Sequence, residues 1–460
     1  MQWDKPVNFN AENVTDGGPI DRVVMSILIV LGVYILSRRV ELTKRLLNNN
    51  KLVLLLFAYM GLSIVWSNFP AISFVRYGRT VGALIMALVV LTELAPLAAI
   101  HALLFRIYVL HVTLSFLTIK YFRNIGVFYD WSGQYEDWIG LSTDKNSLGQ
   151  VMMCSGIFWL WRLFGDWPNR KLRGKLRVVM LDLGLLALTL WMLKGSKTVH
   201  SSTSIVGFAV SATILIGLQF LRGRSARAKR IVVVVCTGLM LIGPSVYLVF
   251  QTFGTTPVTM VVKATGRDMT FTDRNLIWTD VLNISERDPL FGVGIGALWV
   301  GPIGYELYPM PNWSAKTPQW RPEEAHNGYI DTYAQIGLVG LALLFIVIWR
   351  ALSGALDDLQ MNFWLGCLRL PLLIGILINN MAESSFLLGT HDLWFLFLVL
   401  GLNFPKGRRV PLPHKLESSA QSTDEIENAL APAITVSNAL HTEPSLLREP
   451  GALVRYGAAL

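Results

Sequence analysis

The sequence predicts an all-α polytopic membrane protein with about 11 transmembrane helices and one large, partly helical external loop. Charged residues make up only 15% of the 460 residues, whereas 53% are hydrophobic. Soluble domains carry roughly 25% charged residues. The apolar residues also form runs long enough to cross a bilayer core of about 30 Å as helices. Polar residues separate these runs instead of alternating with apolar ones, which excludes an ordinary soluble domain.

The predicted spans follow the apolar runs, which short basic or aromatic stretches separate. In chain order they cover about residues 22–37, 52–67, 80–93, 98–119, 147–164, 178–193, 203–221, 231–250, 335–350, 369–388 and 391–404. The longest interval between two spans, residues 251–335, is the predicted external loop.

Lys and Arg residues concentrate in short segments that predict the orientation of the spans. These segments are SRRVELTKRLLNNNK (37–51), NRKLRGKLR (169–177), RGRSARAKR (222–230) and KGRR (406–409). With 11 spans all of them lie on one side, which the positive-inside rule makes cytoplasmic. The N-terminus is then external and the C-terminus cytoplasmic. The net charge of +9 therefore reflects topology, and we expect no nucleic-acid partner.

Two units follow from this pattern. Residues 1–405 form the multi-span domain, including loop 251–335, and residues 406–460 form a cytoplasmic tail. The tail is rich in Ser, Pro, Ala and Glu without an apolar period, so we expect it to be disordered. Cysteines occur at positions without redox or ligand spacing, which predicts no disulfide and no metal site: Cys154, Cys236 and Cys367.

The segment EEAHNGYID, at the end of the external loop, holds the strongest candidate for chemistry. His326 titrates near neutral pH in its unperturbed state, which suits a general base acting on a sugar hydroxyl. Glu324 and Asn327 flank it as possible supporting residues. The alternative is an interfacial histidine that only caps or hydrogen-bonds the following helix.

Arginines in GRDMTFTDRNLIWTDVL (266–282) are candidates for binding phosphate. Arg274 stands at the start of a predicted amphipathic helix, and Arg267 precedes it in the loop. A guanidinium holds phosphate oxygens through parallel hydrogen bonds and stays charged. The alternative is a pair of solvated loop arginines. The following PLFGVGIGALW (289–299) lacks the strand and Lys-Ser/Thr of a phosphate loop and predicts a close-packed turn.

Further cations precede other spans on the predicted external side. These candidates are Arg76 and Arg79 in segment 67–80, Lys145 with Asn146 in segment 141–150, and Lys197 in segment 194–202. Interfacial anchoring is the commoner role of such residues. The positive-inside rule, however, makes cations less expected on this side. Together they predict a basic pocket at headgroup level that suits a lipid-linked diphosphate.

At these residues the chain resembles the O-antigen ligase/polymerase superfamily of bacterial inner-membrane proteins. It is most similar to the exopolysaccharide polymerase branch, over about residues 50–405. The matching segments are the one with Arg76 and Arg79, the Lys145–Asn146 pair, GRDMTFTDRNLIW and HNGY. There are also departures. Asp273 replaces the family's glycine before the loop arginine, and Glu324 stands where many members have a second histidine.

The resemblance implies a metal-independent glycosyltransferase of the bacterial inner membrane, with a periplasmic main loop and no cofactor. It would transfer a glycan from undecaprenyl diphosphate to a hydroxyl of lipid A core in a ligase, or of another lipid-linked repeat in a polymerase. Implied partners are the lipid-linked oligosaccharide, a glycan or lipid acceptor, the bilayer and other polysaccharide-assembly proteins. Metal independence agrees with the expectation that the external side has no Asp/Glu/His cluster at ligand spacing.

On this interpretation His326 deprotonates the acceptor and Arg274 holds the diphosphate, while Arg76, Arg79 and Lys145 complete the pocket. A transporter or flippase remains open, because Arg106, Asp182 and Glu383 fall within predicted spans. A non-catalytic envelope-assembly scaffold that uses the loop's tryptophans is the other alternative. The external clustering of cations favours chemistry at the membrane surface.

Overall fold

The computed structural model describes residues 19–129, 135–166, 173–196, 199–220, 222, 274–300 and 324–405. The predicted span at 231–250, Arg267, Lys197 and the predicted tail lie outside these residues. So does most of the predicted external loop. The statements below concern the described residues.

Helices dominate the described structure. They are α1 (Pro19–Arg38), α2 (Val40–Asn49), α3 (Lys51–Leu62), α4 (Pro70–Leu91), α5 (Pro96–Tyr121), α6 (Arg123–Gly126), α7 (Lys145–Asp166), α8 (Arg173–Lys194), α9 (Ser202–Phe220), α10 (Arg274–Ser285), α11 (Gly328–Met361), α12 (Phe363–Asn379) and α13 (Asp392–Gly401). The exception to the predicted all-α class is a short antiparallel hairpin, β1 (Val127–Tyr129) and β2 (Glu136–Trp138), in which Val127 pairs with Trp138.

Six of the described helices are long and apolar enough to cross a membrane by length and composition. They are Ile20–Arg38, Pro70–Leu91, Pro96–Tyr121, Leu176–Lys194, Ser202–Phe220 and Gly328–Met361. The class of a helical, polytopic membrane protein is therefore confirmed. The span count of about 11 and the orientation remain predictions.

Several helix ends differ from the hydropathy-based boundaries. Helix α4 starts at Pro70, so Arg76 and Arg79 lie within it and not before it. Proline is favoured in the first helical turn, where its missing N–H has no intrahelical partner to lose. Helix α12 ends at Asn379, so the prediction of Glu383 within a span is wrong.

Helix α12 is the most enclosed element of the bundle. Every residue from Leu365 to Leu377 is buried, although Pro371 lies within the helix. A helix that is apolar on all sides is expected at the centre of a large protein. It packs against α7, α9, α11 and α13. One charged pair, Arg369 with Asp358, lies near the start of α12. A second, Arg274 with Glu383, lies beyond its end.

Helix α11 is broken near its start. Ile336 and Gly337 leave helical geometry, and Gly337 has a φ of 67°. The preceding glycine-rich segment passes the break and restores its hydrogen bonds: Gly294 N donates to Gln335 O at 2.8 Å, and Leu338 N to Pro289 O at 2.9 Å. The glycines Gly292, Gly294 and Gly296 also have positive φ. The predicted close-packed turn is confirmed.

Candidate active site at one end of the bundle

Four ionisable side chains meet at one end of the helical bundle: Arg274, Glu324, His326 and Glu383, here called the charged cluster. Arg274 is the first residue of α10, and His326 lies just before α11. Glu383 belongs to the turn after α12. Residues far apart in the sequence therefore form a single site.

Glu383 joins the two side chains that the sequence singled out. Its Oε1 accepts a hydrogen bond from Nη2 of Arg274 at 2.7 Å, and its Oε2 lies 3.0 Å from Nδ1 of His326. Arg274 also donates through Nη1 to the carbonyl oxygen of Ala382. Nδ1 of His326 lies 2.8 Å from Oε1 of Glu324 as well. Both acids therefore contact the same ring nitrogen.

The local sequence holds His326 in this place. His326 adopts the left-handed region with φ of 48°, which is uncommon for a non-glycine residue and is found most often at functional sites. The side chain of Asn327 caps α11 by accepting from the amides of Tyr329 and Ile330 at 3.0 and 3.2 Å. A cap of this kind fixes the direction in which the helix starts.

The HNG segment is also bonded to the turn that contains Glu383. The amide of Asn327 donates to Ser384 Oγ at 3.1 Å, and the amide of Gly328 donates to Asn380 O at 2.9 Å. A Cβ at Gly328 would come within 2.2 Å of Asn380 Oδ1. Only glycine allows this close approach of backbone and side chain.

Two tryptophans and a buried carboxylate support the same segment from the other side. Asp331 accepts from Trp299 Nε1 at 2.9 Å and from the amide of Ala325 at 3.0 Å. Trp278 of α10 donates to the carbonyl oxygen of Ala325 at 2.9 Å. The apolar face of α10, with Ile277 and Val281, is buried as its amphipathic pattern predicts. The histidine is therefore held on a well-bonded framework.

The electrostatics of the cluster favour a protonated histidine. Burial acts to lower the pKa of His326, but hydrogen bonds and charges from Glu324 and Glu383 outweigh it and raise the pKa to about 9. Burial raises the pKa of Glu324 to about 7, although His326 opposes the shift. Burial also acts to raise the pKa of Glu383, but His326 and Arg274 hold it below its ordinary value. Glu383 is thus the ionised centre of the group.

The other predicted cations occupy different surroundings. Nη1 of Arg76 donates to the carbonyl oxygen of Gly296. The backbone of Arg79 in α4 packs directly against Gly389, since a Cβ at Gly389 would come within 2.3 Å of the carbonyl carbon of Arg79. Both arginines are thus tied to segments that adjoin the cluster, the glycine-rich turn and the loop before α13. They do not contact the cluster in any hydrogen bond found among the described residues.

Lys145 and Asn146 lie in the first turn of α7. Lys145 pairs with Asp137 of the hairpin at 3.4 Å, and the amide of Asn146 donates to Asp144 Oδ1 at 2.8 Å. Nδ2 of Asn379, at the end of α12, donates to Ser204 Oγ at 3.3 Å, and a Cβ at Gly149 of α7 would come within 2.8 Å of the same oxygen. The start of α7 therefore lies at the same end of the bundle as the turn after α12, but the described contacts do not bring Lys145 into the cluster.

The expectation of no Asp/Glu/His cluster at ligand spacing is wrong. Ligand atoms of Glu324, His326 and Glu383 lie within 4.8 Å of one another. The sequence did not reveal this because Glu383 comes from a distant turn. Their chemistry suits an ion-pair network better than a metal centre, because Arg274 already neutralises Glu383 and both carboxylates share Nδ1 of His326.

Glu383 is the residue of this site that the sequence interpretation missed. It fell inside the span predicted at 369–388 and was weighed only as a transporter-like charge. The stretch NNMAESS (379–385) is polar enough to have indicated a break in that span. In the structure, Asn380 forms this break, since its side-chain Oδ1 accepts from the amides of Ser385 and Phe386 at 3.0 and 3.2 Å.

Comparisons with known proteins agree with the motifs that surround the cluster. A family model described as O-antigen ligase matches residues 183–345, which include Arg274, Glu324 and His326. The chain is 24% identical over 172 residues to the exopolysaccharide production protein ExoQ of Rhizobium meliloti (strain 1021). That match covers 35% of this chain and 36% of the relative, so it spans about a third of the length of each. These matches and the motifs support a similarity to the O-antigen ligase/polymerase superfamily.

Proposed function

We propose that the protein transfers a glycan from undecaprenyl diphosphate to an acceptor hydroxyl at the periplasmic face of the bacterial inner membrane. The observation that supports this most directly is the convergence of Arg274 and His326 on Glu383. A fixed cation and a titratable base are the groups that such a transfer needs. The superfamily supports a ligase- or polymerase-type role in polysaccharide biosynthesis.

In the proposed step His326 acts in its neutral form, with its proton on Nδ1, and Nε2 takes the proton of the acceptor hydroxyl. Because the pKa is raised to about 9, this form is the minority form at neutral pH and becomes more abundant as the pH rises. The acceptor oxygen forms a bond to the anomeric carbon of the donor glycan while the bond from that carbon to the diphosphate oxygen breaks. Undecaprenyl diphosphate leaves with the electron pair, and the proton later passes from His326 to water. The geometry suits this role because both carboxylates contact Nδ1, which orients the ring as a carboxylate does in other histidine bases.

Arg274 would stabilise the charge that develops on the leaving diphosphate. A guanidinium has five N–H donors in a planar fork, and its contacts with Glu383 and Ala382 use Nη2 and Nη1. Arg76 and Arg79 are the next candidates for the diphosphate site because α4 adjoins the same end of the bundle. Lys145, Arg267 and Lys197 are weaker candidates, and Asn146 and Asn327 would support the two segments. Without a metal, such fixed cations supply the electrostatic stabilisation.

The proposed transfer could be that of a polymerase or of a ligase, and the two activities differ in the acceptor. We favour the polymerase, in which the acceptor is a second lipid-linked repeat, because the similar protein is named for exopolysaccharide production. Either form would work beside other polysaccharide-assembly proteins. The glycan product distinguishes them: a long free or lipid-linked polymer indicates a polymerase, and glycan attached to lipid A core indicates a ligase.

The test compares His326→Ala and Arg274→Ala with the parent protein for chain extension in purified membranes at matched expression. We expect losses of about 10²–10⁴-fold for the base and about 10²–10³-fold for the cation. Arg287→Ala is the matched control, because this exposed arginine lies just beyond the other end of α10. Its rate should stay near that of the parent, and EDTA should not change any of the rates.

The alternatives predict other results. A transporter, flippase or scaffold would leave extension by purified membranes unaffected in both variants, and parental rates in His326→Ala and Arg274→Ala would reject the proposal. A flippase would instead show altered movement of the lipid-linked precursor across the membrane. A scaffold would show its defect only on deletion of the protein, with the point variants behaving like the parent.

A further inference from the structure

We infer that Glu383 is the positioning residue of this site: one carboxylate oxygen orients His326, and the other holds Arg274 until the donor diphosphate takes the guanidinium. The inference rests on the proposed function and adds a residue and an exchange of partners to it. The bridging geometry is the starting point. Oε1 of Glu383 contacts Arg274 at 2.7 Å, and Oε2 contacts His326 at 3.0 Å.

The carboxylate of Glu383 has little freedom to leave this position. Its side chain is only 7% exposed, whereas the side chain of Glu324 is 31% exposed. Both backbone polar groups of Glu383 are hydrogen-bonded. The amide of Glu383 donates to Asn379 O at 3.0 Å, and its carbonyl oxygen accepts from the amide of Gly328 at 3.1 Å. Both carboxylates contact Nδ1 of His326, and we assign the main orienting role to Glu383 because it is the more firmly held of the two.

The difference in charge between a diphosphate and a carboxylate is the reason why Arg274 would exchange Glu383 for the donor. A diphosphate carries more negative charge than a single carboxylate and accepts parallel hydrogen bonds from a guanidinium. A donor that reaches Arg274 therefore competes with Oε1 of Glu383. Once Arg274 binds the donor, the charge of Glu383 acts mainly on His326. Donor binding would in this way strengthen the base at the moment when the acceptor proton has to be taken.

The groups that face His326 determine the direction of its pH response. They are Glu324 from the same segment, Glu383 from the turn after α12, Arg274 from α10 and Asp331 from α11. The pKa of His326 is raised to about 9, so the neutral base forms as the pH rises through that value. Removing the charge of Glu383 removes one cause of this rise. The ascending limb of the rate profile, which follows the deprotonation of His326, should then move to lower pH.

The experiment measures glycan transfer by purified full-length protein in liposomes, with undecaprenyl-diphosphate-linked donor, as a function of pH and donor concentration. For Glu383→Gln we expect kcat at the plateau to fall about tenfold or more. The ascending limb should move to lower pH. The KM for the donor should not rise, because Arg274 no longer has a charged competitor. Glu324→Gln is the matched control and should reduce kcat less.

A merely structural role of Glu383 gives a different result. It would lower kcat or raise KM without moving the pH limb, and that outcome would overturn the inference. If Glu383→Gln does not accumulate, Glu383→Asp keeps the charge and shortens the reach. We then expect a lower kcat with the limb near its parental position, and parental kcat and KM would overturn the inference. Loss of activity in His326→Ala and Arg274→Ala alongside either result would leave the proposed function standing.

Discussion

Two arginines meet carboxylates near the opposite ends of α12, and their surroundings differ. The side chain of Arg369 is 2% exposed and pairs with Asp358. Its other donors reach the carbonyl oxygen of Leu400 at 2.6 Å, that of Leu402 at 3.3 Å and Oδ1 of Asn403 at 2.8 Å. Every nitrogen of the guanidinium therefore has a partner within the protein, and Arg369 satisfies the carbonyl oxygen of Leu400, which lies in the last turn of α13.

Arg274 at the other end is 16% exposed, and its carboxylate partner is shared with a histidine. The comparison shows that the ion pair itself does not distinguish a structural arginine from a functional one. Among the described residues, every nitrogen of Arg369 has a partner. The carboxylate partner of Arg274, in contrast, also contacts a titratable histidine. A saturated, buried pair stabilises the fold, whereas a partly exposed pair that is shared with a histidine can exchange partners.

The largest expected effect separates the two arginines by stability. Arg369→Ala leaves the charge of Asp358 buried without its partner, which typically costs about 3–5 kcal/mol. We expect little folded protein in the membrane and a strongly lowered unfolding temperature in detergent. Arg274→Ala should accumulate normally, as should Arg350→Ala, a control at an exposed position on α11. If Arg369→Ala unfolds like the parent and only loses activity, the contrast between the two ends is wrong.

The break in α11 should be the next most sensitive position. Gly337 has a φ of 67°, and a Cβ there would come within 2.2 Å of Leu290 O. With its ψ of −173°, this backbone conformation is open essentially to glycine alone and costs another residue about 1–3 kcal/mol. Gly337→Ala should therefore lower the unfolding temperature and the transfer rate together. Gly184→Ala is the control, because nothing lies within 4 Å of a Cβ at that helical position, and parental stability of both variants would contradict the prediction.

A smaller effect is expected when Arg274 is replaced by another cation. Arg274→Lys keeps the charge but loses the planar fork that contacts Glu383 and Ala382 in parallel. We expect a loss of about tenfold in transfer rate, corresponding to one hydrogen bond to a charged group. Steady-state assays at matched expression measure this loss. A rate equal to that of Arg274→Ala would mean that charge alone contributes nothing here.

The smallest effect should come from Lys145. It pairs with Asp137 at 3.4 Å, and the two side chains are 38% and 26% exposed. Pairs of this kind contribute about 0–1 kcal/mol, so Lys145→Ala should change the transfer rate by no more than about fivefold. A loss of a hundredfold or more in the same assay would place Lys145 in the diphosphate site after all.

Local patterns in the sequence predicted several elements correctly. The apolar runs gave the class of the protein, the amphipathic pattern after Asp273 gave α10, and the alternate glycines of GVGIG gave a close-packed turn. These features depend on residues close together in the chain, so periodicity and turn chemistry are sufficient to predict them. Helix ends were less accurate because capping contacts, such as that of Asn327, decide them.

The sequence by itself determined that the protein is a helical, polytopic membrane protein with His326 and Arg274 as its leading functional candidates. Composition and local motifs are sufficient for both conclusions. Only the tertiary structure decided that Glu383 lies between these two residues and that Lys145 pairs elsewhere. Glu383 is 109 residues from Arg274 and 57 from His326 in the chain. Their meeting depends on how α10, α11 and α12 pack, which no local pattern encodes.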